Sequence, residues 1–457
     1  MPRCTVAIAG GGLCGLLLAL ALEKYAPDVD YQIYEAAAEL TTAGAGIGFQ
    51  PRTLFVLREL GLEPALLKIS GNGEKDRLNI LYRKSDQKEG FTFNDSETDE
   101  IQWTVHRGEL QKLFLDHIRH PERIHLGKRL VSYTQSTGPN GRVTLRFQDG
   151  STAACDVMLG ADGVKSPARA AMYTQLADAA EQVGRAEEAT SLRSHINAVF
   201  SGFSAYRGLL EREPITDGQA KPLNMSAIMI YCGKNKNIVA YPISQGRILN
   251  VAALVMDREL EGTLYEGPWT TDVSQEEVRR EYVGWEPEVD DFVQKMGRWN
   301  KWAINVVKDL PTFVDGRVAL LGDAAHSMTP FQGAGAGQGF EDTLMLGMLL
   351  GQATVTKASI PATLKIYDQF RRPVAQKVAA VSLESGHMHT LTYPELDAEI
   401  SAGRASLTES EYLARIVENI ERLKQWRQGT DVMEDCLSAL RLLQHTIPGE
   451  ATTEAKL

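Results

Sequence analysis

At 457 residues, with 43% hydrophobic and 23% charged residues, the chain has ordinary soluble composition and is too long for one compact core. Two or three domains are expected. Lys and Arg total 48 against 59 Asp and Glu, and the net charge of −11 argues against nucleic acid or an anionic membrane as the main partner. The five cysteines (Cys4, Cys14, Cys155, Cys232 and Cys436) are scattered with no CxxC pair. That spacing speaks against a zinc site or a disulfide framework and fits a reducing compartment.

The chain opens as strand (Thr5 to Ala9), glycine turn, apolar helix (Leu13 to Lys24) and strand (Tyr31 to Glu35), a βαβ start. The apolar run 5–22 could be misread as a signal peptide or membrane anchor, but three consecutive glycines would break a spanning helix in its middle. Gly10-Gly11-Gly12-Leu13-Cys14-Gly15 satisfies GxGxxG between strand and helix. Gly10 permits the tight turn, Gly12 lets the backbone approach a pyrophosphate, and Gly15 allows close helix–strand packing. The helix N-terminus offers free N–H groups to that anion. Glu35, at the end of the second strand, is placed to accept hydrogen bonds from ribose hydroxyls. This fingerprint does not separate NAD from FAD.

Residues 84–100 are polar and read as an exposed excursion. In "STGPNGRVTLRFQDGST" two turn signals flank an alternating strand with Val143, Leu145 and Phe147 on one face, a β-meander. The apolar strand "DVMLGADG" follows, and 173–195 read as a helical or mobile insertion. Strand-like runs between 196 and 256 predict a mainly β second domain. After 337 the chain turns helical, with a last amphipathic helix near "VMEDCLSALRLLQ".

Two further motifs each put an Asp after an apolar strand. Asp162-Gly163 lies in "LGADGVKSPAR", with Ser166 and Arg169 behind it; Gly322-Asp323 lies in "LLGDAAHSMTPFQGAGAGQGFEDT". A carboxylate ending a buried strand needs donors, and a polyhydroxy chain supplies them. The alternating glycines let the N–H groups of a helix start lie against a flat ring edge that becomes anionic on reduction. His326 reads as a packing or hydrogen-bonding residue, and Trp302 as interface packing.

With these three motifs in order, and with "GAGIGFQPRT" at 44–53 and "HRGELQKLF" at 106–114, nearly the whole chain resembles the single-component FAD-dependent aromatic hydroxylases. Their salicylate hydroxylase-like branch is the best match. The resemblance implies an α/β fold: a Rossmann-like, glutathione reductase-type FAD-binding domain (1–72, 101–180 and 298–375), a mainly β substrate domain (73–100 and 181–297) and C-terminal helices (376–457). It implies FAD contacts from Gly10, Gly12, Leu13, Cys14, Gly15, Glu35, Ala36, Gly46, Arg107, Val131, Asp162, Gly163, Asp323, Gly333, Gly335, Ala336 and Gly337. Arg107 would reach the phosphate and ribose region, Asp162-Gly163 both flavin and pyridine nucleotide, and Asp323 the ribityl chain.

Arg207 and Tyr241 would line the substrate pocket, and the Pro330 carbonyl would lie near the substrate hydroxyl. Many salicylate-type relatives carry His after that proline, where this chain has Phe331. The implied reaction consumes NADH or NADPH and O₂ and hydroxylates a phenol through a flavin C4a-hydroperoxide. Salicylate to catechol with loss of CO₂ is the first expectation, and a larger polyketide phenol the alternative. A flavin oxidase or dehydrogenase and a non-catalytic binding protein are the rivals. Neither metal nor nucleic acid nor an integral membrane segment is expected. The chain would act as a monomer or homodimer in the cytoplasm, or in the peroxisome through Ala455-Lys456-Leu457.

Overall fold

The computed structural model describes residues 2–40, 46–70, 79–96, 103–211, 227–243, 248–402, 406–428 and 431–447. The tail Ala455-Lys456-Leu457 lies outside them.

Two sheets organise the molecule. The first has six strands in the order Val314–Asp315, Val318–Leu320, Val157–Gly160, Cys4–Ala9, Val29–Tyr34, Ile124–His125. Its strands run parallel except at the Val314–Asp315 edge. Val157–Gly160 is buried at all four positions, as a parallel sheet covered on both faces requires. The apolar helix Leu13–Tyr25 lies in this core, with Leu16, Leu17, Leu18 and Leu22 fully buried beneath helices Arg107–His117 and Gly335–Leu350. Its 13 residues are too few to span a bilayer, and among the described residues no helix is long and apolar enough to do so. The meander forms as read, from Leu130–Gln135, Val143–Phe147 and Thr152–Cys155, with Val143, Leu145 and Phe147 turned inward.

The second sheet has eight strands: Thr270–Val273, Trp299–Val306, Val199–Glu211, Ile248–Met256, Lys236–Ile243, Ala227–Gly233, Asn79–Lys84 and Phe91–Ser96. Its two faces differ. Tyr206, Ala253, Ile238 and Tyr231 face helices that bring Val278, Phe292 and Val293. The alternate row faces a cavity described below.

Three differences from the sequence reading stand out. The polar excursion 84–100 is, where described, the hairpin partner of Asn79–Lys84, closing the sheet at Phe91–Ser96. Phe93 packs with Tyr82 there, at 6.2 Å between ring centroids. Residues 298–306, expected with the FAD-binding part, supply the strand Trp299–Val306 to the eight-stranded sheet. The boundary expected at 375/376 falls inside one continuous 30-residue helix, Ile360–His389. That helix begins against the first sheet's core (Leu364, Tyr367) and ends at the cavity beside the second sheet with His389.

Candidate active site

The strand Cys4–Ala9 ends at Gly10, whose φ of +108° and crowding leave no place for a side chain. A Cβ there would lie 2.3 Å from the Ala161 carbonyl oxygen, and one at Gly15 would lie 1.9 Å from that of Gly10. Around Gly12 the space is open, and Gly12 caps the helix beginning at Leu13 without any side-chain bond, leaving N–H groups free. This is an open cradle of N–H groups with room for an anion. Gly10→Ala is therefore expected to leave the purified protein without bound flavin, a result read from the absorbance ratio at 450 and 280 nm.

Glu35 is partly committed to its own chain: its carboxylate accepts the Gly11 N–H at 2.6 Å and the Ala37 N–H at 2.8 Å. Ala36 follows in the same turn. The Glu35 carbonyl accepts the Lys128 N–H, which brings the strand carrying the exposed Val131 beside this end of the cradle. Arg107 heads its helix with an exposed side chain, near enough to Cys14 to influence it electrostatically.

Asp162 has a local duty. Its carboxylate accepts from the Ser166 hydroxyl and from the Ala168 N–H (2.9 Å), while Ser166 accepts the Arg169 N–H at 2.8 Å, capping helix Pro167–Gln182. Burial raises the Asp162 carboxyl above its ordinary value despite those bonds. Arg169, 1% exposed, donates to the carbonyls of Val164 (2.7 Å) and Ala324 (2.9 Å), so it locks the Asp162 loop to the Asp323 loop. Gly163, at φ +77°, faces open space.

Asp323 starts the turn after Val318–Leu320 and stays exposed, with no hydrogen-bond partner among the described residues. Beneath it lies a buried ionic cluster. His326 Nε2 is 2.6 Å from Asp342 Oδ2, which also accepts the Gly322 N–H at 3.0 Å. Arg371 donates to Asp342 (2.8 Å), Glu341 (2.7 Å) and Gln338 (2.8 Å), and Arg52 grips Glu341 through two bonds of 3.0 and 2.9 Å. Burial works against the Asp342 carboxylate, but the charges of His326 and Arg371 outweigh it and hold its pKa below the usual range.

The glycine series that follows divides its labour. Gly333 ends the Pro330–Gln332 turn at φ +58°. Gly335 and Ala336 open a 16-residue helix that has no side-chain cap, and a Cβ at Gly335 would meet only Met328, at an ordinary 3.8 Å. At Gly337 and Gly339 the missing Cβ serves packing instead. A Cβ would lie 2.3 Å from Thr53 Oγ1 in the first case and 2.4 Å from Cys14 Sγ in the second. Cys14 thus sits between Gly322 and Gly339, and burial pushes its thiol pKa far up, which makes it inert.

The cavity of about 210 Å³ lies between the eight-stranded sheet and the Pro330 turn. It is mostly apolar, with Arg207, Tyr241, Asn250 and His389 as its principal polar side chains. Arg207 has no carboxylate partner among the described residues; its guanidinium lies 5.6 Å from the ring centroid of half-exposed Trp302. Burial pushes its pKa down, and the Arg107 charge adds to that. The Tyr241 hydroxyl donates to the Gly46 carbonyl at 3.0 Å, and the Gly46 N–H donates to Asn250 at 3.2 Å. The Pro330 carbonyl already accepts the Gly333 N–H at 2.9 Å, which leaves it one lone pair. Phe331 packs its ring over Gly386, beside Phe203 and His389.

Sequence reasoning missed Arg52, Glu341, Arg371 and His389. An acidic doublet inside an apolar helix, "GFEDTLMLGMLL", was the signal available for the first three; nothing local marks His389.

Comparison with known proteins defines the class. The "FAD binding domain" family model matches residues 3–382, so this chain belongs to that family of FAD-dependent monooxygenases and aromatic hydroxylases. Within it the chain falls in the salicylate hydroxylase-like branch. It is 31% identical over 404 residues to a salicylate hydroxylase of Pseudomonas putida, covering 87% of this chain and 88% of that one. It is 32% identical over 394 residues to the 6-methylsalicylate 1-monooxygenase atA of Aspergillus terreus, covering 84% and 82%. A solved salicylate hydroxylase substrate complex superposes with a TM-score of 0.78 at 27% identity, covering 96% of this chain and 98% of that one.

The residues present fit FAD. The open face at Gly12, the uncapped helix ends and the unpartnered Asp323 are donors and an acceptor that a dinucleotide would satisfy.

Proposed function

We propose that this chain is an NADH- or NADPH-consuming monooxygenase that hydroxylates an ortho-hydroxybenzoate, or a related phenol, held as its anion by Arg207. One observation carries the reading: a guanidinium in the wall of an apolar cavity with no carboxylate to pair it among the described residues. Burying an unpaired cation is costly, and an aromatic carboxylate or phenolate removes that cost with matching fork geometry.

When bound, FAD supplies the two-electron chemistry that takes electrons from the nicotinamide and activates O₂. The protein's own side chains orient the ring. Arg207 binds the carboxylate, and Tyr241, its hydroxyl tethered to the Gly46 carbonyl, lines the wall beside the ring. The remaining lone pair on the Pro330 carbonyl can take the phenolic O–H, which enriches the ring in electrons. The aliphatic wall (Ile228, Ile230, Val239, Leu254) excludes water. With an ortho-hydroxybenzoate, one oxygen atom enters at the carboxyl-bearing carbon and the carboxylate leaves as CO₂. The other oxygen leaves as water, with two electrons drawn from NAD(P)H.

Asp323 is proposed to hold the ribityl hydroxyls. Asp323→Ala is expected to weaken FAD binding by about 10- to 150-fold, the ~1.5–3 kcal/mol of a charged hydrogen bond. Flavin-fluorescence titration of the apoprotein measures it, and an unchanged Kd would remove Asp323 from the cofactor site.

The direct test follows NADH oxidation by the FAD-loaded protein with and without salicylate, measuring catechol and CO₂ together. Matched catechol and CO₂ support a decarboxylating hydroxylase. Stimulated oxidation that yields only peroxide makes salicylate an uncoupling mimic. An absence of stimulation by any ortho-hydroxybenzoate or phenol would overturn the assignment.

A further inference from the structure

One row of side chains runs across five strands of the larger sheet. Arg207 pairs with Ala252, Ala252 with Val239, Val239 with Ile230, and Ile230 with Tyr82. All five line the same cavity. Four inter-strand steps of ~4.8 Å separate the backbone at Arg207 from that at Tyr82 by roughly 19 Å. The cavity is therefore elongated, with a cation at one end and Tyr82, on the strand next to the sheet's edge, at the other.

At that far end stands His389, the last residue of helix Ile360–His389. It is 3% exposed, with its ring 5.5 Å from Tyr82 and 5.6 Å from Phe331, edge-on to both. Its position is well fixed. Ser382 of the same helix accepts from the Thr329 hydroxyl (3.0 Å) and donates to the Thr329 carbonyl (2.6 Å), and Ser385 accepts from Gln332 at 2.6 Å. Phe331 occupies the notch at Gly386, where a Cβ would lie 2.4 Å from its ring. The helix end and the Pro330 turn form one rigid roof.

Yet the imidazole serves the protein only through ring packing. Its Nδ1 is buried and lacks a hydrogen-bond partner among the described residues. Native structures rarely leave such a group unsatisfied. Burial pushes its pKa down to about 4, so at neutral pH the ring is uncharged, with one nitrogen donating and the other accepting. Tyr82, beside it, stands roughly 19 Å from Arg207 between backbones across the sheet, a span longer than one hydroxybenzoate ring.

We propose that the substrate is longer than one ring, with its anionic head at Arg207 and a hydroxyl or carbonyl at its far end hydrogen-bonded to His389. This rests on the Arg207 reading above and sharpens it: His389 is a specificity residue for the distal end, remote from the oxygen-transfer chemistry. The 210 Å³ cavity exceeds the ~150 Å³ that accommodates a benzene, in keeping with a ring and an extension.

Three ligands test the idea against the FAD-loaded protein by calorimetry: salicylate, 4-phenylsalicylate and 4-(4-hydroxyphenyl)salicylate. The hydroxylated biaryl is expected to bind about 3- to 10-fold more tightly than the phenyl compound, the yield of one net hydrogen bond. His389→Phe, which keeps the aromatic contacts with Tyr82 and Phe331, is expected to erase that preference while leaving the salicylate Kd within about twofold. His389→Gln should restore part of it. In turnover of the long ligand, His389→Phe should raise KM and leave kcat unchanged.

A wild-type protein that binds both biaryls equally would overturn the proposal and spare the Arg207 reading. So would a His389→Phe variant that weakens salicylate as much as the long ligand. Failure of all three ligands to bind would overturn both.

Discussion

Arg207→Ala is expected to lower kcat/KM for a carboxylate-bearing aromatic substrate by about 10- to 150-fold, equivalent to the ~1.5–3 kcal/mol of a hydrogen bond to a charged group. Among the described residues the wild-type guanidinium faces the cavity without a carboxylate, and on the proposed reading the substrate supplies that anion. Arg207→Lys keeps the charge but not the planar fork, and it should fall between the two. The same substitution distinguishes function from folding. Removing an unpaired cation from an apolar wall should leave the thermal midpoint unchanged or raise it, whereas removing a structural ion pair would lower it. Steady-state NAD(P)H oxidation coupled to product analysis, with a melting curve on the same sample, decides the matter. An unchanged kcat/KM would dismiss Arg207 as the anion receptor.

Asp342→Ala should do the opposite, harming the fold first. Its carboxylate is shared by His326, Arg371 and the Gly322 N–H, all out of contact with water. Truncation leaves the buried Nε–H of Arg371 and the buried Gly322 N–H without their acceptor and removes the partner of His326, and losses from breaking such buried pairs are about 3–5 kcal/mol. A lowered urea midpoint in the FAD-loaded protein measures it. The pH dependence follows from the direction of the shift. Because the folded-state pKa of Asp342 is depressed, its contribution is fully present above the unfolded value of ~3.9 and is lost as pH falls through the lower folded value. Asp342→Asn should therefore flatten the acid limb of the stability profile below about pH 4 and leave the limb above pH 5 unaltered in shape.

The cofactor half of the molecule was legible because its constraints are local. A tight turn at Gly10, an acid ending the next strand and an Asp after each buried strand are all visible within windows of ten to thirty residues. The hairpin at Phe91–Ser96 was not legible. Its alternation, "FTFNDS", is short and bordered by Lys, Asp and Glu, so the polar flanks outweighed the phenylalanines. The bonds that Asp162 makes to Ser166 and Ala168 were not legible, since helix capping and ligand contact ask for the same residue in the same place. Arg371 and His389 were invisible for a different reason. Each meets its neighbours through a helix that leaves one half of the molecule and ends in the other. No periodicity within that helix says which polar residue will end inside a cavity.

The fit of Cys14 between Gly322 and Gly339 has a consequence for how the protein is made. The leucine-rich first helix is covered by a helix that begins at Gly335, and a Cβ at Gly347 would collide with Ala21. On the order of 300 residues separate these partners, roughly 15–60 s of synthesis at ribosomal rates. Throughout that interval the face of the first helix that Gly335–Leu350 covers in the folded protein stays bare. The nascent chain thus carries a greasy, helix-forming segment at its leading end from the start, a natural client for holding chaperones. Slow translation or truncation before residue 350 should send it to aggregates, not to a soluble half-enzyme.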